Sequence, residues 1–207
     1  MRLLRNGIFF FVLGMASAYA TPNRAIEFDG TNDHLDLAGH PELNLDSVRT
    51  IEAWVNPLVC TDGSWLYRVI YSDGSNMLYC EQNRLRFQST ANNYNTISST
   101  TAVIPNGQWT HIALTFTDEA FGGSQAVRSR LYVNGQLMPA NAWRALSSDE
   151  TSALLRIPGG GNSLRIGRKG TSGYYWKGAM DEVRLWSTTR TAQQILENRD
   201  QQLSGSE

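Results

Sequence analysis

Two acids stand side by side in KGAMDEVRLW, residues 177–186, inside what otherwise reads as an apolar strand. Asp181 and Glu182 could be a catalytic pair, metal ligands, or groups that pin a strand end. A glycoside-hydrolysing pair needs two carboxylates converging on one bond. Neighbours in a regular strand face opposite ways, so these two do not form such a pair. His34, His40 and His111 show no metal-ligand spacing of the H-x-x-x-H kind, and no nucleophile-elbow motif marks a serine. Residue types therefore argue against catalysis.

Binding chemistry is better supplied. Sugars are held by aromatic platforms with amides and hydroxyls around them. Trp65, Tyr94, Trp143, Tyr174 and Tyr175 fall near loops and are the candidate ligand-binding residues; Asn92, Asn93 and Asn95 flank Tyr94 with further donors. The competing reading is that these rings pack loops onto a core. Trp54, Trp109 and Trp186 sit within strand patterns and are assigned to packing.

Short runs with period-two alternation must position these groups. Ile51, Ala53 and Val55 alternate with Glu52, Trp54 and Asn56. Ile112, Leu114 and Phe116 alternate with His111, Ala113 and Thr115. Asn134-Gly135 is a strong hairpin signal, since both residues tolerate positive φ. Asp73-Gly74 and Gln82-Asn83 mark turns between strands at 65–72, 76–81 and 84–89. Segments 119–127 and 140–162, rich in Gly, Ser and Ala, read as loops. Thr191 and Gln194 form a capping box that starts a helix over about 192–200. Many short strands with regular turns predict an all-β, two-sheet antiparallel sandwich with one short C-terminal helix.

Phase makes a sharper demand on the last strand. Val183 and Leu185 share one face while Met180 has the other parity. If all three are core, the strand slips by one residue near Asp181, as at a β-bulge. Glu182 would then pair with Arg184.

Residues 1–20 read as an export signal: Arg2 and Arg5, an apolar run from Ile8 to Met15, then Ala18-Tyr19-Ala20. The mature domain, 21–203, would work outside the cytoplasm, extracellular or periplasmic, with 204–207 a disordered tail. No later stretch approaches the ~20 apolar residues of a spanning helix. Formal charge moves from −1 to −3 once Arg2 and Arg5 are removed, and no basic run exists, which argues against nucleic acid or anionic membranes as partners. Cys60 and Cys80 can bridge in an exported chain. They would be too far apart in a simple meander of 51–59, 65–72 and 77–81, so a bridge requires the first of these strands to lie elsewhere in the sheet system.

Six stretches in order resemble the laminin G-like, concanavalin A-like jelly-roll domains, specifically the three-type laminin G domain related to pentraxins: AIEFDGTNDHLDL (25–37), RTIEAWVNP (49–57), GQWTHIALTF (107–116), RLYVNGQL (130–137), SLRIGR (163–168) and GAMDEVRLWSTTRTAQQI (178–195). The resemblance implies a jelly roll whose first and last strands pair. It also implies a structural calcium, with Asp29 and Asp181 as its metal ligands; the alternative is that Asp29 caps its own turn and Asp181 accepts backbone N–H groups. Glucanases of the wider fold carry E-x-D-x-x-E on one strand, which this chain lacks. The acids of the pentraxin calcium site are replaced by Lys169, Gly170 and Thr171, so phosphocholine binding is not carried over. The expectation is a secreted, non-catalytic module for glycans or surface glycoproteins. The alternatives are a protein-binding adhesion module and, behind it, a polysaccharide-degrading enzyme.

Overall fold

The computed structural model describes residues 8–10, 25–37, 49–60, 68–90, 95–121, 124–155, 164–170 and 173–201. In chain order the strands begin with β1 (Ile8–Phe10), β2 (Ile26–Asp29), β3 (Leu35–Asp36), β4 (Thr50–Pro57), β5 (Arg68–Ser72) and β6 (Asn76–Glu81). They continue with β7 (Arg84–Ser89), β8 (Asn95–Ser99), β9 (Thr110–Phe121), β10 (Ser124–Val133) and β11 (Gln136–Leu137). The last are β12 (Ala140–Trp143), β13 (Ser147–Ser148), β14 (Ser152–Leu155), β15 (Arg165–Ile166) and β16 (Lys177–Trp186), followed by the helix α1 (Ala192–Asn198).

Two antiparallel sheets face each other, as the alternation predicts. One runs β1-β16-β4-β9-β10-β14-β13, with β2 also on β16 and β11 on β10; the other runs β12-β8-β7-β6-β5-β15-β3. We call them the back and front sheets. Ile51, Ala53 and Val55 of β4 and Ile112, Leu114 and Phe116 of β9 point between the sheets. There they meet Leu78, Leu85, Phe87 and Ile97 of the front sheet.

The slip in the last strand is present. Asp181 pairs with Trp54, but the next pair is Arg184 with Glu52, so β16 spends one extra residue against β4. Glu182 takes up the slack with φ of 47°. The bulge lets Met180 and Leu185 both reach the core, with Val183 packed against it. The Glu182–Arg184 ion pair is also formed, at 2.9 Å.

The cysteines are bridged, with Cα atoms 5.9 Å apart. Topology explains how: β4 lies in the back sheet and β6 in the front, so the link from Cys60 just beyond β4 to Cys80 on β6 spans the sandwich rather than a meander. Asn134 and Gly135 both adopt positive φ in the β10–β11 turn. Gly135 has a second reason to lack a side chain, since a Cβ there would come within 2.7 Å of Leu196 on α1. The helix has both bonds of its capping box, Gln194 N–H to Thr191 Oγ1 and Thr191 N–H to Gln194 Oε1. It lays Ile195 on Ala113 and Tyr132, covering part of the outward side of the back sheet.

Two loop readings need correction. Segment 119–127 is mostly the tip of the β9–β10 hairpin, whose pairing runs out to Phe121 and Ser124. The exposed side chains of Thr117, Asp118 and Ala120 there show no apolar alternation, so the composition looks like a loop. A bidentate pair across it, Arg128 to Glu119 at 2.6 and 2.8 Å, supplies part of the cross-strand stabilisation. Segment 140–162 contains β12, β13 and β14, and all four residues of β14 are buried.

Of the twenty N-terminal residues read as an export signal, Ile8–Phe10 pair with the outer half of β16 and the others lie outside the described residues. Among the described residues no helix is long and apolar enough to cross a membrane.

Candidate functional site

Side-chain parity on the front sheet separates a core face from an outward one. In β7, Leu85 and Phe87 enter the core, which turns Arg84, Arg86 and Gln88 outward. In β8, Ile97 is core and Thr96 and Ser98 face out; in β12, Ala140 and Ala142 pack inward and Asn141 and Trp143 face out. Register lines these residues up. Trp143 is opposite Thr96, Thr96 opposite Gln88, and Gln88 opposite Met77. One step along, Asn141, Ser98, Arg86, Tyr79 and Val69 form a parallel row.

The two halves of this face differ. Val69, Met77 and Tyr79 are buried although they point away from the core, and Tyr174 packs on them. Tyr174 holds φ of 60° and Lys169 Nζ lies 5.8 Å from its ring centroid. Burial pushes the Lys169 ammonium below the ordinary lysine range. The other half, over β7, β8 and β12, is a partly open floor of hydroxyl, amide and guanidinium groups. Trp143 stands at its edge with 65% of its surface exposed. From β12 to β6 is three strand spacings, about 14 Å, so the floor is as wide as two or three sugar rings and has an aromatic side chain at each end. Arg86 is tied to Glu81 by an ion pair, and Tyr79 Oη donates to Gln88 Oε1 at 3.4 Å.

The sequence-predicted site residues scatter over the molecule. Trp143 and Tyr174 bound this floor. Tyr175 lies beyond, its ring 6.4 Å from that of His34, and its carbonyl accepts from Arg68. Trp65 and Tyr94 lie outside the described residues; Tyr94 belongs to the connection between β7 and β8, whose ends carry Gln88 and Thr96. The Arg86, Gln88, Thr96 and Ser98 quartet escaped sequence reasoning, although parity against Leu85, Phe87 and Ile97 was a usable signal. Trp176, the next residue after Tyr174 and Tyr175, is fully buried.

The proposed calcium ligands are not brought together. β2 and β16 do pair, as first and last strands should, but Asp29 is opposite Lys177 and Asp181 lies four residues further along. That separation is about 13 Å. Asp29 instead caps its own turn, accepting N–H groups from Thr31 and Asn32; the Thr31 bond leads in holding its carboxyl below the usual range, against an opposing desolvation, with Asn32 and Lys177 adding to it. Asp181 accepts the N–H of Glu182. Among the described residues no three His, Cys, Asp or Glu side chains converge as metal ligands. Asp29 and Asp181 therefore do not share one ion position, and no role is derived through calcium.

Asp181 lies elsewhere, on the outward side of the back sheet. The bulge also turns Glu182 that way, so the two acids share one cleft and do not face apart as in a regular strand. Trp54 and Trp109 line the same cleft; Trp109 is 44% exposed, correcting its assignment to packing.

A family model described as concanavalin A-like lectin/glucanases superfamily, of laminin G type, matches residues 29–196. The chain belongs to that superfamily. No protein of curated function matches it significantly. Among solved structures, this laminin G-type domain is similar to the receptor-binding domain of botulinum neurotoxin D, with 11% identity, a TM-score of 0.54, and coverage of 84% of this chain and 43% of that one. It is also similar to domain 4 of AbnA, a GH43 extracellular arabinanase from Geobacillus stearothermophilus solved with arabinotriose. There the identity is 18%, the TM-score 0.47, and the coverage 73% and 66%. The chain thus spans less than half of the toxin domain and about two thirds of the arabinanase domain. At these identities the likeness is one of fold.

Proposed function

We propose that this domain is an extracellular glycan-binding module and that the outward face of the front sheet over β7, β8 and β12 receives the sugar. One observation carries the reading: an exposed tryptophan, Trp143, stands in register with a row of hydroxyl and amide side chains, Thr96 and Gln88, on a rigid sheet. The indole would stack on a pyranose or furanose face, and the row would exchange hydrogen bonds with its hydroxyls. Strands hold these groups in place before binding, which limits the ordering cost. Two further features support the proposal. The single carboxylate on this face among the described residues of β5–β8 and β12 is Glu81, already paired to Arg86, whereas hydrolysis would call for two. The leader pattern and the disulfide fit an oxidising compartment.

The test is an array of plant, bacterial and animal glycans probed with the wild-type domain and with Trp143→Ala. Wild type should bind a restricted set, and the variant should lose roughly tenfold or more in affinity, the scale of one stacked aromatic at about 1.4 kcal/mol. Because Trp143 is exposed, the variant should melt where wild type does. An array blank for wild type, or equal binding by the variant, overturns the reading. Capture of a protein from deglycosylated surface extract would replace it with the adhesion alternative.

A further inference from the structure

On the opposite side of the sandwich the bulge opens a cleft of about 380 Å³, within the size range of small-molecule sites. One wall is β16 at Asp181 and Glu182, another is the segment after α1 at Arg199, Asp200 and Gln201, and Trp54 and Trp109 supply indole surface. The charges in it are not equivalent. Glu182 is bound by Arg184 through two contacts, 3.2 and 2.9 Å, and Asp200 is bound by Arg199 at 3.0 Å. Asp181 is different. Its Oδ1 accepts the N–H of Glu182, and it forms no ion pair among the described residues. The cleft therefore presents a net single carboxylate beside two tryptophans, one of them 44% exposed. A neutral sugar would want donors for its oxygens, and here both guanidinium groups are already occupied by acids.

We propose that this cleft is a second binding site, distinct from the front-sheet face, and that it takes an organic ammonium group. A carboxylate supplies the charge, and indole faces attract cations through their quadrupole, most strongly where water is partly excluded. Amino sugars and lysine side chains share this chemistry, and the test separates them.

The indole N–H signals of the nitrogen-labelled domain are followed while glucosamine, Nα-acetyl-lysine methylamide or the neutral N-acetylglucosamine is added. At least one ammonium probe should shift the Trp109 and Trp54 signals, with affinity that weakens as salt is raised, while N-acetylglucosamine leaves them in place. The tighter of the two ammonium probes identifies the source as sugar or peptide. Asp181→Asn, which keeps the oxygen that accepts from Glu182, should weaken the probe at least tenfold. Trp109→Ala, at an exposed position, should do the same should the first variant fold poorly. If neither ammonium probe moves these signals, or the acetylated sugar binds equally well, the proposal is wrong. The cleft and Trp143 lie on different sheets, so this result and that of the glycan array are independent.

Discussion

Replacing Glu52 by alanine is expected to cost about 3–5 kcal/mol of folding stability, a large part of what a domain of this kind has. Glu52 is fully buried on the outward side of β4. Its carboxylate lies at ion-pair rather than hydrogen-bond distance from three groups: His111 Nε2 at 3.5 Å, Arg190 Nε at 3.5 Å and Arg184 Nη1 at 3.9 Å. Arg184 is itself 2% exposed, and it spends its other contacts on Glu182 and on the carbonyls of Asn198 and Gln201. Arg190 lies 3.8 Å from the Trp186 ring centroid. Burial pulls the Arg190 guanidinium below the ordinary arginine range, and Glu52 opposes that pull while Arg184 adds to it. Without Glu52, two guanidinium groups would share a dry site with no central counter-charge. Chemical denaturation of Glu52→Ala measures the loss. The cost belongs to the unpaired charges and not to the ion pairs as such, so the combined change Glu52→Leu, Arg184→Met, Arg190→Leu should recover most of it. A loss below about 1 kcal/mol for Glu52→Ala would show that water already reaches the cluster and solvates it.

Removing the disulfide is the second large effect. Changing Cys60 and Cys80 to serine should lower stability by about 3 kcal/mol, the chain-entropy value for a loop of this length. For a domain of this size that is a fall in melting temperature of roughly 6–12 °C. Both sulfurs are buried where the two sheets meet, and Asn83 N–H points at Cys60 Sγ from 3.2 Å, so the site is ordered around the bond. Reducing agent should move the wild-type melt by the same amount and leave the double variant unchanged. A wild-type melt indifferent to reductant would mean that the cysteines stay as thiols, and would remove one of the two supports for an oxidising compartment.

Local chemistry made much of this legible in the sequence. The bulge at Glu182 followed from the parity conflict between Met180 and Leu185, the helix start from Thr191 and Gln194, and the Asn134-Gly135 turn from two residues that accept positive φ. Layer and register were harder. Parity showed that Glu52 and Trp54 leave the core, but the burial of Glu52 and the cover over Trp54 depend on groups that return from more than a hundred residues away, Arg184 and Arg190 beside Glu52 and Arg199 over Trp54. Trp109 has the same outward parity as His111, yet it is exposed while His111 is buried against Trp54 and Glu52. Asp29 and Asp181 were correctly assigned to adjoining strands, while the four-residue offset between them was set by pairing register, which composition does not encode. The front-sheet floor was missed for a related reason. Its polar residues look like ordinary solvated positions until register places them beside Trp143.

The most direct test of the central claim is to follow the six tryptophan indole signals while a glycan from the array is titrated in, assigning each by substitution. If the front sheet holds the sugar, the Trp143 signal moves with saturating dependence while those of buried Trp176 and Trp186 stay fixed. If Trp143 stays fixed and Trp54 and Trp109 move instead, the glycan sits on the back sheet and the front-sheet assignment is contradicted.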